Sequence, residues 1–211
     1  MAAAPVLYQY RHSLYCWIAR LALTEKGVAY ETVEVNPFEP GADQAADNPH
    51  PFNRVPVLLH EGNTIIETNA ICRYIDEAFD GPALQPDSPV DRAAMNQIIS
   101  IIDAYGYWPM IRQVYSHDVF QPRFDESNDQ AEISQGLEKA VPVLDALESL
   151  VSGRIFLVSD HLTLADIWLA PVISFFSASS AGADLLKRRP KLSNWYAHFQ
   201  QRNSFLNTFP E

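Results

Sequence analysis

Val55-Pro56-Val57-Leu58-Leu59-His60, Glu61-Gly62-Asn63, Thr64-Ile65-Ile66-Glu67 and Thr68-Asn69-Ala70-Ile71 follow one another without a break. The first and third pieces are short, apolar and β-branched, and the tight reversal between them predicts a hairpin. A helix is predicted next, from about Thr68 to Phe79, stopped by Asp80-Gly81-Pro82. The stretch is therefore a ββα unit.

Upstream, Val6 to Tyr10 reads as a strand, followed from about Leu14 to Lys26 by Trp17, Ile18, Leu21 and Ala22 at helical spacing and closed by Gly27. Tyr30 to Val35 alternates with period two and ends at Asn36-Pro37, and residues 36 to 54 form a loop rich in Pro, Asp, Asn and Ala. The order is βαβ, loop, ββα, which is thioredoxin-like, and strands joined through a helix are expected to run parallel. Beyond Asp87 the β signal stops. Amphipathic runs cover Ser88 to His117, Gln130 to Val151, Thr163 to Ser177 and Lys191 to Arg202. The expected fold is α/β plus all-α: a thioredoxin-like βαβ-ββα domain at 1–82, a proline-bearing linker at 83–89 and a helical bundle at 90–211. Pro109, Pro142 and Pro171 are expected to bend their helices.

The chain has 211 residues, nearly half of them apolar and about a fifth charged, as in a folded globular protein. Fifteen basic against 26 acidic residues give a net charge of −11, which argues against nucleic acid or an anionic membrane as partner. Met1 to Pro5 lacks the features of a signal peptide, and no stretch reaches membrane-spanning length, so a cytoplasmic location is expected. Cys16 and Cys72 both fall in helical segments, which speaks against a disulfide framework. The six histidines show no paired spacing, and no metal is expected.

The Val-Pro strand and the Glu67-Thr68-Asn69-Ala70-Ile71 helix start resemble the corresponding motifs of cytosolic glutathione transferases, and the resemblance covers essentially the whole chain. It implies a cis Val55-Pro56 bond and a Val55 backbone that pairs with the cysteine unit of glutathione like an added strand. It also implies that Glu67 accepts from the γ-glutamyl ammonium, and that Thr68 and the helix N–H groups bind its carboxylate. The bland alternative makes Thr68 an N-cap and Glu67 polar surface. Thr163-Leu164-Ala165-Asp166 is similar to the family's capping box, in which the residue at the Asp166 position is structural rather than catalytic.

Family members activate the glutathione thiol with Tyr, Ser or Cys. In the serine and cysteine types the reactive residue lies seven before the arginine of the first helix; counting back from Arg20 gives Ser13. The tyrosine position falls on Gln9, and strand alternation turns Tyr8 and Tyr10 to the other face. Ser13 also reads simply as a helix cap. Ser13-Leu14-Tyr15-Cys16 looks like a thioredoxin Cys-x-x-Cys site whose attacking cysteine is replaced by serine, so a dithiol cycle is not available. Cys16 reads as a buried small hydrophobe, with thiol exchange as its alternative.

The loop after the second strand carries no lysine for the glycine carboxylate of glutathione. Arg54, Gln44 and His50 are the substitutes. An electrophile pocket is expected at Tyr105, Trp108 and Arg112, which share a face at helical spacing, and Asp103 is a candidate to reach a partner's glutathione. The resemblance implies glutathione as co-substrate, a small hydrophobic electrophile, a homodimer and a role in detoxification. Two further functions stay open: a non-catalytic transferase-like binding or interaction module, and a glutathione-dependent isomerase of the zeta type, suggested by Tyr10-Arg11-His12-Ser13 and Trp17.

Overall fold

The computed structural model describes residues 4–38, 48–124 and 127–210. The chain divides into two compact units. One runs to Leu84 and takes in the segment from Asn203 onward; the other is Gln85–Arg202.

The first unit holds β1 (Val6–Gln9), α1 (Leu14–Lys26), β2 (Glu31–Glu34), β3 (Val57–His60), β4 (Asn63–Ile66), α2 (Thr68–Ala78) and the C-terminal α8 (Asn203–Thr208). The sheet order is β2-β1-β3-β4. β1 pairs in parallel with β2, Val6 opposite Glu31, as a helical crossover requires, while β1–β3 and β3–β4 are antiparallel. Glu61 (φ 49°) and Gly62 (φ 78°) both adopt positive φ, giving the two-residue turn that suits a hairpin's twist.

α1 is buried on almost every side. Trp17, Ile18, Leu21 and Ala22 are fully enclosed, and Gly27 ends the helix with a left-handed residue (φ 74°) whose N–H bonds the carbonyls of Leu23 and Thr24. Lys26 forms a buried ion pair with Asp76 (2.9 Å) and donates to the Pro82 carbonyl (3.0 Å); Asp76 also accepts from the Leu84 N–H. These bonds fix the chain as it leaves α2.

The expected helical domain at 90–211 differs from the observed division at its end. The Trp17 indole donates to the Thr208 hydroxyl (2.9 Å), and Phe205 and Phe209 pack on the Trp17 ring. Burying these rings on α1 removes apolar surface from water, so the last segment belongs with the first unit.

The second unit contains α3 (Pro89–Ile101), a π-helical segment (Ile102–Phe120), α4 (Gln130–Leu150), α5 (Leu164–Ala178), α6 (Ser180–Lys187) and α7 (Pro190–Phe199). The run read as one helix from Ser88 to His117 changes winding at Ile102. Pro109 lies inside the segment and has no N–H to donate, and the Gln121 N–H bonds the carbonyl five residues back, at Ser116. α4 crosses it at Gly136, where a Cβ would stand 2.7 Å from Gln113 Cβ and 2.8 Å from the Pro109 carbonyl. Only glycine permits that approach.

α5 is the centre of this unit, apolar and buried along nearly its whole length. Asp166 is fully buried there; its Oδ2 accepts from the Thr163 N–H (2.9 Å) and hydroxyl (2.8 Å), and its Oδ1 from the Leu157 N–H and the Trp195 indole (2.9 Å each). Burial pushes this carboxyl up, against the pull of the four donors.

Candidate active site

β1 ends at Gln9, and the chain turns through Tyr10 to Ser13, whose N–H closes the turn on the Tyr10 carbonyl (2.9 Å). Ser13 has extended geometry (φ −74°, ψ 128°) and caps α1: Oγ accepts from the Cys16 N–H at 3.4 Å. A hydroxyl that accepts from the helix keeps its proton for another acceptor. No acidic residue lies in the first turn of α1, so no side chain of that turn offsets the positive helix end; the Glu34 carboxylate is engaged two residues before Ser13, on the Arg11 N–H.

Cys16 is fully buried, and burial pushes its thiol up to about 11 despite smaller opposing pulls from the Ser13 side chain and the Tyr10 N–H. A thiol held protonated is a poor exchange nucleophile. Tyr10 is half-buried, edge-on to His12 and Phe38; burial and the nearby Glu34 carboxylate raise its hydroxyl pKa. Gln9, at the strand position of a tyrosine-type enzyme, is buried and held by Arg20 and Glu34.

The Val55-Pro56 peptide is cis, and Val55 precedes the sheet ladder, which begins at Val57. At the far end of the hairpin, Glu67 and not Thr68 is the N-cap of α2. Thr68 is the first helical residue and is buried, whereas Glu67 is exposed and makes no side-chain cap bond. Glu67 also carries positive φ (68°), which costs a non-glycine residue about 1–3 kcal/mol. Glu67→Gly should remove that strain against roughly 0.5–1 kcal/mol of added chain entropy. The expected net gain is about 1 kcal/mol, or roughly 2–4 °C in melting temperature. A variant melting below the parent would show that the backbone there is unstrained.

His50 is buried beside Glu67, its Nε2 3.9 Å from Oε1. Its Nδ1 accepts from the Phe52 N–H (3.1 Å), which puts the proton of the neutral ring on Nε2. Burial pulls its pKa below the ordinary 6.5, with Glu67 opposing and Arg54 assisting. A folded value below the unfolded one contributes stability that is present above pH 6.5 and is lost as pH falls through the folded value. Melting temperature should therefore fall more steeply through that window in the parent than in His50→Gln; parallel curves would refute the assignment.

Arg54 is exposed, and its carbonyl accepts from the Asn48 side chain (3.2 Å). Gln44 lies outside the described residues. Tyr105 (67% exposed), Trp108 (59%) and Arg112 all face solvent. Three-and-four spacing puts the three on one face under α winding; along the π-helical segment they leave strict α register, yet all are open. Asp103 accepts from the Trp168 indole (2.9 Å), an anchor to α5. Arg20, a position marker in the sequence, bridges Gln9 and the Arg11 and Thr208 carbonyls in the fold. A lone arginine in the apolar run of α1 was the available signal.

The glutathione S-transferase N-terminal domain matches residues 7–83, and the C-terminal domain of the same family matches residues 130–198. The chain belongs to the glutathione S-transferase family. It is similar to glutathione S-transferase F10 of Arabidopsis thaliana, with 30% identity over 87% of this chain and 86% of that one. It is equally similar to maleylacetoacetate isomerase of Rattus norvegicus, with 30% identity over 82% of this chain and 78% of that one. Among solved structures, a glutathione S-transferase from Rhodospirillum rubrum F11 superposes with a TM-score of 0.79 at 28% identity, over 98% of this chain and 92% of that one. The apo structure of glutathione S-transferase III shares the fold (TM-score 0.84, 24% identity, 99% and 98% covered). The transferase fold thus spans both units, and the chain is a glutathione transferase.

Proposed function

We propose that the chain conjugates glutathione to a small hydrophobic electrophile, and that the Ser13 hydroxyl donates to the glutathione sulfur. The observation that carries this reading is the state of Ser13: its oxygen accepts from Cys16 N–H at a helix end without an acidic first turn, which leaves a donor beside a positive dipole. A free thiol with pKa about 8.5 is roughly 3% ionised at neutral pH. A hydrogen bond to charged sulfur contributes about 1.5–3 kcal/mol and the helix end about 0.3–1. Together they lower the thiol by about one to two units, enough to ionise roughly a quarter or more at pH 7.

In this reading the thiol proton passes to solvent, the thiolate forms the bond to the electrophile, and any leaving group departs with the electron pair. Ser13 forms no covalent bond. The Val55 backbone beside the cis bond, the exposed Glu67 carboxylate and the α2 start at Thr68 hold the peptide, with the Arg54 guanidinium for the glycine carboxylate. Tyr105, Trp108 and Arg112 offer exposed aromatic and cationic surface to the electrophile.

A second reading, glutathione-dependent isomerisation, is favoured by the 30% identity to rat and mouse maleylacetoacetate isomerases. Leu14 and Tyr15 stand against it, because they interrupt the Ser-Ser-Cys run of that type. Parent protein and Ser13→Ala, offered a chloronitrobenzene and maleylacetoacetate with glutathione, separate the two. Conjugation lost with Ser13 supports the first reading; isomerisation alone supports the second.

A further inference from the structure

The backbone two residues before Ser13 is held at both ends of Arg11. The Arg11 N–H donates to Glu34 Oε1 (2.6 Å), and the Arg11 carbonyl accepts from Arg20 Nη2 (3.0 Å). Gln9 closes the ring: its Oε1 accepts from Arg20 Nη1 (2.7 Å) and its Nε2 donates to Glu34 Oε2 (3.2 Å). Arg20 Nη2 also donates to the Thr208 carbonyl (3.3 Å), so the C-terminal segment buttresses the same guanidinium. Arg20 and Gln9 are buried.

We infer that Arg20, with Glu34 as its counter-charge, is the positioning residue that fixes the Ser13 hydroxyl for thiol activation. The inference rests on the reading of Ser13 given above. With Arg11 clamped, the Tyr10–Ser13 turn has its entry fixed by this ring and its exit fixed by the Ser13–Tyr10 and Cys16–Ser13 bonds. The Tyr10 N–H, which bonds Cys16 Sγ (3.4 Å), ties the same turn to α1. A hydroxyl on a loop held this way loses little entropy when it meets a sulfur, and a displacement of even about 1 Å weakens that bond severely.

Arg20 acts through hydrogen bonds and not by touching the sulfur. Its side chain borders a cavity of about 390 Å³ lined by Gln9, Arg11, Tyr30, Glu34 and the Asn207–Pro210 stretch, and Ser13 is not part of that lining. Arginine suits the position because its planar fork reaches three acceptors at once: Gln9, Arg11 and Thr208. An ammonium is a single point charge and cannot span them in the same way.

The full-length variants Arg20→Ala, Arg20→Lys and Glu34→Gln test this, with Ser13→Ala in parallel. The readouts are the titration of bound glutathione by thiolate absorbance, and kcat and KM for conjugation of a chloronitrobenzene. Arg20→Ala should raise the bound-thiol pKa by about one unit and lower kcat roughly tenfold, with KM for glutathione within about twofold. Arg20→Lys should behave like Arg20→Ala; full activity in the lysine variant would mean that charge alone suffices and would overturn the clamp. Added guanidinium ion should restore part of the Arg20→Ala loss by entering through the cavity, and do nothing for Ser13→Ala. A parent-like thiol pKa in Arg20→Ala, beside a shifted Ser13→Ala, overturns this inference alone. No shift in Ser13→Ala overturns the serine reading itself. Should Arg20→Ala fail to fold, Glu34→Gln and Gln9→Met break the same ring: a raised thiol pKa supports the clamp, and a parent value in both overturns it.

Discussion

Ser13→Ala should lower kcat/KM for conjugation by roughly tenfold to a hundredfold, since a donor hydrogen bond to a charged sulfur contributes about 1.5–3 kcal/mol. The loss should appear as a displaced pH profile: the alanine variant reaches its plateau about one to two units higher, where hydroxide ionises the thiol without help. Retention on immobilised glutathione should change far less than turnover, because backbone and carboxylate contacts carry the binding. Ser13 also caps α1, so alanine should cost about 1 kcal/mol of stability. Ser13→Gly separates the two roles, because glycine at an N-cap costs only a few tenths of a kcal/mol. Both variants should lose the same activity, but only alanine should lose the stability. A pH–rate profile identical to the parent's would remove Ser13 from the chemistry.

The parts of the fold legible in the sequence are those set by local rules. Gly27 marks the end of α1, Glu61-Gly62 the hairpin turn, and Thr163 with Asp166 the start of α5. What escaped is set by long-range packing. α6 follows Ser179 in a stretch between the predicted runs, and Gly182 is needed there because a Cβ would clash with the Phe176 carbonyl. The π winding after Ile101 is invisible to a test of α periodicity, because Tyr105, Trp108 and Arg112 satisfy three-and-four spacing whichever helix they sit on.

Motif spacing singles out Ser13, Val55, Glu67 and Thr68 as candidates because each sits next to a turn or helix start with its own sequence marker. The Arg20 ring was hidden because its members lie on β1, α1, β2 and the C-terminal segment, and only the folded chain gathers them. The geometry also altered a role. The sequence offers Thr68 as the cap of α2, but Glu67 holds that position with positive φ, and its carboxylate is left exposed.

Asp166→Ala should cost more than about 4 kcal/mol and leave little folded protein, since a domain of ordinary stability has about 5–15 kcal/mol in total. The carboxylate joins three parts of the second unit: Leu157 in the loop before α5, Thr163 at its start and Trp195 on α7. Removing it strands four donors away from water, and an unsatisfied buried donor costs about 1–3 kcal/mol. Asp166→Asn is the sharper test because it keeps shape and volume. Each oxygen of Asp166 accepts from two donors, so one orientation of an asparagine amide points its N–H₂ at the Leu157 N–H and the Trp195 indole, which can only donate, and the other points it at the Thr163 N–H and the Thr163 hydroxyl, of which the hydroxyl alone can turn to accept. The asparagine variant should therefore lose about 2–4 kcal/mol in urea unfolding, less than alanine but far more than an isosteric change at the surface. A loss below about 1 kcal/mol would show that the four donors find other partners, and that Asp166 is dispensable to the helical unit.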